Sequence, residues 1–398
     1  MQRRNFLHVV GGVGIAAALP LSGCSLSSQF PAQAVQAWQG PSPQETDVRR
    51  WILSYAILAP HSHNLQSWLV DLRTPGEIVL FCDLTRLLPE TDPLSRQIMM
   101  SQGTFLELLD LAARQRGQRA AIELFPQGEF ANDKPDARPV ARIRLAADPS
   151  IRPDPLFAQI AHRHTNREHY ESRLPSADGM QAMTQSLAGH AVRAGFIDSS
   201  QPAAMQQHRE IAKEAWRIEL VTPRTIMESY KVLRVGPEEI AQHRDGLSIN
   251  TPVIRALTAL GLFDRTKAPG PGDSATTGQL KDFNAKIDST PAFFWMVTEG
   301  NDRRTQINAG RAYARAQLAA TAQGLVMHPL SQALQEYPEQ AATYRQIHEL
   351  LAAPAPRFTV QMWTRLGYAA PAQPSPRRGL DAHLVAGVAT SKASAPRG

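Results

Sequence analysis

The chain has 398 residues, of which 43% are hydrophobic, a composition that predicts a globular protein of one to three domains and excludes a largely disordered chain. Its formal net charge is +6, but the basic residues are scattered among acidic ones instead of forming a cluster. The sequence therefore contains no patch typical of a nucleic-acid-binding protein.

The N-terminus is typical of an export signal. Arg3 and Arg4 precede a modest apolar run that is rich in Gly and Ala and has the length of a signal peptide. The pattern resembles a twin-arginine signal, although Gln2 stands where that signal usually has Ser or Thr. An ordinary secretory signal with two chance arginines is the alternative. We therefore expect the twin-arginine machinery to export the folded chain, which favours a cofactor inserted before export.

The apolar run ends at residues 21–24, which resemble a lipoprotein processing box with Cys24 as the acylated first residue. The competing cleavage site follows Ala34. Acylation at Cys24 would leave Cys82 without an intramolecular disulfide partner, so stability would come from the core. No later segment is long and apolar enough to cross a membrane, and we predict a periplasmic or cell-surface protein held to the membrane by its lipid alone.

Helix and strand signals begin after a linker. Residues 25–44 are rich in Ser, Gln, Pro and Ala without any period, so they predict a tether. A helix follows from Thr46, with apolar residues at helical spacing, and ends before Pro60. Strands are predicted at 77–84, 141–148, 191–198, 292–299 and 357–368. Because long and varied helical connections separate these strands, the sequence predicts an α+β fold and not a doubly wound parallel sheet.

An internal repeat divides the chain into two related halves. Residues 95–117 align without gaps with residues 302–324, and each copy follows a predicted strand. The matched residues include Arg96 and Arg303, Gly103 and Gly310, and Gly117 and Gly324. The pattern predicts a duplicated helix with small residues on its packing face and a Gly stop. We therefore assign two halves, residues 45–150 and 151–398, of which only the second carries an insertion, at about 222–290, that could lie over a site as a lid.

Two segments with paired histidines are candidates for a site. The first contains His61 and His63, and the second contains His162 and His164. Imidazoles one residue apart can share a metal on a strand, but neither pair lies on a predicted strand or has an acidic or Cys partner at ligand spacing. A metal-dependent hydrolase remains an alternative.

The second segment could also bind an anion. Arg163 and Arg167 are four residues apart, and on one face of a helical turn they would offer two guanidinium groups, with the Thr165 hydroxyl between them, to a phosphate. The alternative is a solvated cluster of ion pairs with Glu168 and Glu171.

The same segments carry a family resemblance. The sequence RHTNREHY at 163–170 resembles the RxSxR segment of FMN-dependent nitroreductases, and APHSHNLQSW at 59–68 resembles their PSSxNxQPW segment. In that family the active unit is a dimer whose FMN lies at the interface, held by the first motif of one subunit and the second motif of the other. Here the two motifs lie in different halves, as a fused pseudo-dimer requires, and the leader, the insertion and the segment at 310–334 resemble the fused, Acg-like branch. The resemblance implies two nitroreductase-like halves, with antiparallel or mixed sheets flanked by helices, that form an intramolecular pseudo-dimer within a monomer.

The resemblance also implies which residues bind FMN. Phosphate and ring contacts fall on Arg163, His164, Thr165 and Arg167; the loop from the other half supplies Pro60, His61, Ser62 and Asn64; the backbone near the flavin N5 comes from Pro329, Leu330 and Ser331; and the C-terminal phosphate ligands are Arg377 and Arg378. The first half has no RxSxR of its own, so one FMN per chain is expected. No catalytic residue is assigned.

The activity implied by the resemblance is electron transfer through FMN, from NAD(P)H or another small-molecule donor to a nitro compound, a quinone or a similar acceptor. The alternative is a protein that binds and sequesters FMN without turnover, because the lid-like insertion could exclude a hydride donor.

Overall fold

The computed structural model describes residues 27–385. The predicted export signal at 1–24, with the predicted acylation of Cys24, lies outside these residues. The α-helices of the described range are α1 (Ala32–Val35), α2 (Val48–Ala56), α3 (Arg96–Gln115), α4 (Ala177–Ser186), α5 (Pro202–Val221), α6 (Pro223–Lys231), α7 (Gly236–His243), α8 (Pro252–Ala259), α9 (Ser274–Asp288), α10 (Arg303–Ala322) and α11 (Ala341–Leu350). The strands of this range are β1 (Trp68–Asp71), β2 (Glu77–Cys82), β3 (Gln118–Leu124), β4 (Ala141–Ala147), β5 (Arg193–Asp198), β6 (Leu233–Val235), β7 (Leu247–Ile249), β8 (Ala292–Glu299), β9 (Val326–Pro329) and β10 (Phe358–Gly367).

Two four-stranded antiparallel sheets make the fold α+β, as predicted. The first sheet has the strand order β1-β2-β4-β3 and the second has the order β5-β8-β10-β9. The short strands β6 and β7 form a separate parallel pair. The five predicted strands correspond to β2, β4, β5, β8 and β10.

The two sheets are built alike, as a duplication predicts. In each sheet the second strand leads into a repeat helix, which is α3 after β2 and α10 after β8. A Cβ atom added at Gly103 would collide with the backbone oxygen of Ile307, and one added at Gly310 would collide with that of Met100. The matched glycines therefore form the crossing point of the two helices, where the missing side chain lets each backbone approach the other.

Local sequence explains where the helix before the first site segment begins. The Asp47 carboxylate accepts a hydrogen bond from the backbone N–H of Arg49 (2.8 Å), which caps α2. Ile52, Leu53 and Ala56 lie on one face of α2 and are buried in the core of the first half. The predicted helix is therefore confirmed, and its C-terminal end delivers the chain to the loop at 59–68.

The segment predicted as a tether, residues 25–44, is described from residue 27 onwards, and there it packs against the protein instead. Ala32–Val35 and Gln36–Gln39 form helical turns, and Trp38 is buried in the core of the first half. The Trp38 Nε1–H donates to the carbonyl of Ser375 (2.8 Å), and the carbonyl of Ala34 accepts from the N–H of Arg377 (2.8 Å). These contacts join residues far apart in the chain, so the local composition gave no sign of them.

The insertion at 222–290 contains α6 to α9, β6 and β7, and it has a small core of its own. The connection between β1 and β2 spans only 72–76, whereas that between β5 and β8 spans 199–291, so the first half has no counterpart to it. The backbone N–H of Gly246 donates to the carbonyl of Asn64 (3.1 Å). The insertion therefore contacts the loop at 59–68 directly.

Candidate cofactor-binding site

The loop at 59–68 has an unusual backbone. His63, Asn64 and Gln66 all have positive φ values, at 47°, 54° and 56°. Left-handed conformations of residues other than Gly cost free energy and persist only where surrounding contacts hold them. Here the Asn64 amide donates to the carbonyl of Gly246 (3.2 Å), and the buried Gln66 amide donates to the carbonyl of Arg244 (2.9 Å). The insertion thus fixes the shape of the loop.

The two histidines of this loop are neutral. The His61 Nε2 accepts from the N–H of Ser67 (3.0 Å), and its Nδ1 donates to the carbonyl of Ser62 (2.7 Å). Burial lowers the pKa of His61 to about 3 and that of His63 to about 4. Both ring nitrogens of His61 are therefore engaged within the loop and have no lone pair left for a metal. Among residues 27–385, no group of three or more His, Cys, Asp or Glu side chains could hold a metal ion.

The segment at 163–167 lies between the first-half loop and β9. The Arg163 Nη2 donates to the carbonyl of Leu58 (3.0 Å), across the boundary between the halves. Thr165 forms an isolated β-bridge with Met327, and the N–H of Asn166 donates to the carbonyl of Met327 (3.0 Å). The predicted helical turn is therefore wrong, because the segment pairs with a strand. This pairing places it beside the predicted residues Pro329, Leu330 and Ser331.

The C-terminal arginines hold the same loop from another side. The Arg377 guanidinium donates to the Asn64 Oδ1 and to the carbonyl of Ala59 (3.1 Å). The Arg378 Nη2 donates to the carbonyl of Gln66 (2.6 Å). The four segments predicted to bind the cofactor are therefore adjacent, although both arginines already bond to the protein.

Arg163 and Arg377 lack compensating charge. Their exposed fractions are 2% and 3%, and within the described range no carboxylate forms an ion pair with either. Burial lowers the pKa of Arg163 to about 10 and that of Arg377 to about 9. Both guanidinium groups lie over the ring of Trp38, at 5.8 Å and 5.4 Å from its centroid. Buried cations without an anion are costly, so the site fits a negatively charged ligand.

Unpartnered polar atoms support the same conclusion. Several buried side-chain atoms near Arg163 have no hydrogen-bond partner in the protein; these are Arg163 Nε, His164 Nδ1, Tyr313 Oη, Gln317 Nε2 and Arg377 Nε. Gln317 shares a hydrogen bond with Arg163 through its oxygen (3.2 Å), and His164 packs edge-on against Trp38 at 4.6 Å. Such atoms are normally satisfied, so their grouping indicates a missing ligand with several hydrogen-bonding atoms. A phosphate, with its charged oxygens, has the required chemistry.

Arg167 is an exposed, positively charged residue of the site. Its side chain is exposed, and within residues 27–385 it forms no hydrogen bond or ion pair with the protein. Loss of surrounding water nevertheless lowers its pKa, as expected for a side chain in a cleft. Its charge adds to burial in lowering the pKa values of His63 and His328. Arg167 therefore faces the same region as two neutral imidazoles.

The alternative of an ion-pair cluster around the second segment is wrong. Glu171 pairs with Arg173 (3.4 Å), and Glu168 forms no ion pair with either arginine of the motif in the described part of the chain. The positive charge of Arg163 and Arg167 is thus available to a ligand.

Sequence reasoning missed three residues that line the site. Trp38 lies in the segment predicted as a tether, where a lone large aromatic residue was the only signal. Tyr313 and Gln317 lie one turn apart on α10, and both approach Arg163. A polar pair on a helix face otherwise made of small residues could have indicated them.

Sequence similarity to known proteins extends over both halves of the chain. No protein-family model matches the chain. Over 359 residues the chain is 26% identical to "Putative NAD(P)H nitroreductase Rv3131" of Mycobacterium tuberculosis strain H37Rv, covering 86% of this chain and 94% of that protein. The same figures hold for "Putative NAD(P)H nitroreductase MT3217" of strain CDC 1551.

Two solved structures are also similar. The FMN-dependent nitroreductase NfnB from Mycobacterium smegmatis, in complex with NADPH, has 15% identity and a TM-score of 0.36, over 56% of this chain and 94% of that one. A nitroreductase with bound FMN from Desulfitobacterium hafniense has 13% identity and a TM-score of 0.32, over 56% of this chain and 92% of that one. The similarity to the mycobacterial proteins runs through both halves of the chain.

Proposed function

We propose that the protein is an FMN-binding oxidoreductase of the nitroreductase type, with one FMN held between its two halves. The observation that carries this proposal is the direct contact between Arg163 of the second half and the carbonyl of Leu58 of the first (3.0 Å), in a site whose buried cations lack anions. This is the pairing of motifs that the family resemblance implies for a fused dimer.

The residues present fit the groups of FMN. Arg163 and Arg377, with their unpartnered Nε atoms, would hold the phosphate, and both guanidinium groups would stay packed against the Trp38 ring. The loop at 60–64 and the segment at 329–331 would flank the ring. Arg167 would place a positive charge in the cleft, where it favours negative charge on the ligand. The bound FMN would supply the redox chemistry, from NAD(P)H or another donor to a nitro compound, a quinone or a similar acceptor.

The structure also bears on the proposed export. Twin-arginine export carries the folded chain, and in the folded chain Ala34 is fully buried. The N–H of Phe30 donates to the Gln373 side chain (3.0 Å), a contact that cleavage after Ala34 would remove. These contacts favour processing at Cys24. We therefore propose a lipid-anchored periplasmic or cell-surface protein of the fused, Acg-like branch.

A second candidate function is FMN binding without turnover. The insertion supports it, because the Ser229 hydroxyl approaches the His63 Nε2 (3.4 Å) and Gly246 bonds to Asn64, so the insertion borders the predicted ring contacts. An insertion in this place could keep NAD(P)H from the flavin.

The test is the visible spectrum of the chain without residues 1–24, purified from the cytoplasm and desalted. The proposal predicts an oxidised-flavin spectrum, either as purified or after incubation with FMN. A protein that stays colourless would overturn it. Addition of NAD(P)H without air then separates the two functions: bleaching, followed by reoxidation with a nitroaromatic compound, indicates an enzyme, and a flavin reduced only by dithionite indicates a binding protein or a different donor.

A further inference from the structure

The insertion exposes an apolar face on α8. Val253, Leu260 and Leu262 are exposed by 67%, 71% and 71%, and they are the most exposed large apolar side chains of residues 27–385. Val253, Ala256 and Leu260 follow the spacing i, i+3, i+7, which places them on one helix face. Ile254 packs against the core of the insertion from another face. This outward face is thus continuous and has no partner in the described part of the chain.

The composition of this region suits a lipid surface. Residues 247–263 contain a single charged side chain, that of Arg255, and no Asp or Glu. A short helix with an outward apolar face and no carboxylate can lie in the boundary between headgroups and acyl chains. It need not cross the membrane, and no helix within residues 27–385 is long and apolar enough to do so.

The N-terminal segment leaves the fold beside α8. The Asn250 amide donates to the carbonyl of Gln29 (2.6 Å), and Asn250 lies two residues before α8 begins. The Gln373 side chain holds the same segment through the carbonyl of Ser28 (3.2 Å) and the N–H of Phe30 (3.0 Å). The exit point of the chain is therefore fixed by three hydrogen bonds.

The covalent reach from this point to the predicted anchor is short. Gln29 lies five residue steps after Cys24, and a fully extended chain of five steps spans at most about 18 Å. A lipid on Cys24 would therefore hold Gln29 within about that distance of the bilayer, whatever the conformation of the intervening residues, and Gln29 is bonded to Asn250 just before α8.

We propose that α8 and the residues that follow it, 252–262, form a membrane-contacting surface that inserts its apolar side chains into the lipid boundary next to the acylated Cys24. This inference rests on the proposed anchor and is independent of FMN. The contact orients the protein, so that the insertion faces the membrane.

The test is hydrogen exchange on a chain of residues 24–398 whose Cys24 is coupled to a maleimide lipid in phosphatidylethanolamine–phosphatidylglycerol vesicles. Cys82 is buried and its thiol pKa is raised, so coupling occurs at Cys24. The reference is the same chain with Cys24 capped by N-ethylmaleimide. We expect the amides of 252–262 to exchange several-fold more slowly on vesicles, whereas those of α3 exchange equally in both samples and report an intact fold.

A matched pair of variants identifies the surface. Val253→Asp combined with Leu260→Asp should abolish the slowing, because both side chains are exposed and matter only to the lipid contact. Leu174→Asp changes another leucine, exposed by 42%, and should leave the slowing intact. Equal exchange on vesicles and in solution would overturn the proposal, as would slowing that depends only on protein concentration, which would indicate a second copy on this face. The mass of the mature N-terminus from cells tests acylation separately, so failure of the anchor and failure of the surface are distinguishable.

Discussion

A buried guanidinium group without a carboxylate partner costs free energy in the unliganded protein, and Arg163 and Arg377 are two such groups. Each is held by backbone carbonyls, which orient the charge but do not neutralise it. An anionic ligand would recover part of this cost, so these residues couple cofactor binding to the stability of the junction between the halves.

Arg163→Met keeps much of the side-chain volume and removes the charge. We expect it to weaken FMN binding by on the order of 10- to 100-fold, the value of a charged hydrogen bond. Fluorescence titration with FMN measures the change. Arg217→Met is the control, because Arg217 forms an exposed ion pair with Glu214 on α5 and should leave the affinity unchanged. Equal affinities in both variants would contradict the phosphate role of Arg163.

Trp38→Ala removes the ring that both arginines contact. We expect FMN to dissociate faster from this variant, because Arg163 and Arg377 lose the aromatic ring against which both guanidinium groups pack. Trp51→Ala is the matched control, since Trp51 lies on α2 and packs against Tyr55 and Phe157, whereas Arg163 and Arg377 lie over Trp38. Stopped-flow dilution of the flavin-loaded proteins compares the rates, and equal rates would contradict a role for Trp38 in retention.

The half-buried histidines His61 and His63 make stability depend on pH. The folded-state pKa of His61 is about 3 and that of His63 is about 4, against 6.5 in an unfolded chain. The unfolded state therefore binds more protons below pH 6.5, and the contribution of these groups is complete above that pH and is lost as the pH falls towards 4. At pH 5 we expect a loss of about 2 kcal/mol per histidine relative to pH 7. Urea unfolding of His61→Asn should show a correspondingly smaller loss, and an unchanged pH dependence would refute the prediction.

At the scale of elements, the crossing of α3 and α10 joins the two halves. Gly103→Ala should lower the free energy of unfolding by about 3 kcal/mol, because the new methyl group collides with the backbone oxygen of Ile307. Gly278→Ala on α9 is the matched control, since nothing lies within 4 Å of the added atom. It should stabilise the protein by about 0.5–1 kcal/mol through helix propensity. Chemical denaturation measures both, and equal effects would contradict a tight crossing.

The sequence predicted elements well where one local pattern decided them. The strands β8 and β10 are buried along nearly their whole length, and their apolar runs were recognised. Strand β3 lies at a sheet edge and contains only half-buried and exposed residues, and β1 and β9 have four residues each, so their apolar patterns were too weak to predict strands. The repeat could be recognised from the sequence because Gly103 and Gly310 occupy matching positions, and both are needed at the crossing of α3 and α10.

Contacts distant in sequence explain what was missed at the site. The segment at 163–170 has the polarity of a helical turn, but its pairing with Met327 makes it extended. Trp38 contacts residues that are distant in the sequence: its Nε1–H bonds to Ser375, and the guanidinium groups of Arg163 and Arg377 pack over its ring. Motif resemblance identified the four segments that converge, whereas the partners of each arginine required the structure.

At the scale of the whole molecule, both ends of the described chain return to the junction between the halves. The segment at 28–40 packs against residues 373–377, and Leu384 pairs with Val70 of β1. The site therefore forms only when both halves and both ends have folded. The export that we propose would therefore require both halves and both ends to fold before the chain leaves the cytoplasm.

We propose that a single chain holds one FMN between its two unequal halves. Native mass spectrometry of the flavin-loaded chain without residues 1–24 measures the mass of the complex directly. We expect a monomer that carries one FMN, because only the second half supplies the motif at 163–167. Two FMN molecules per chain, or one FMN held only by a dimer of chains, would contradict it.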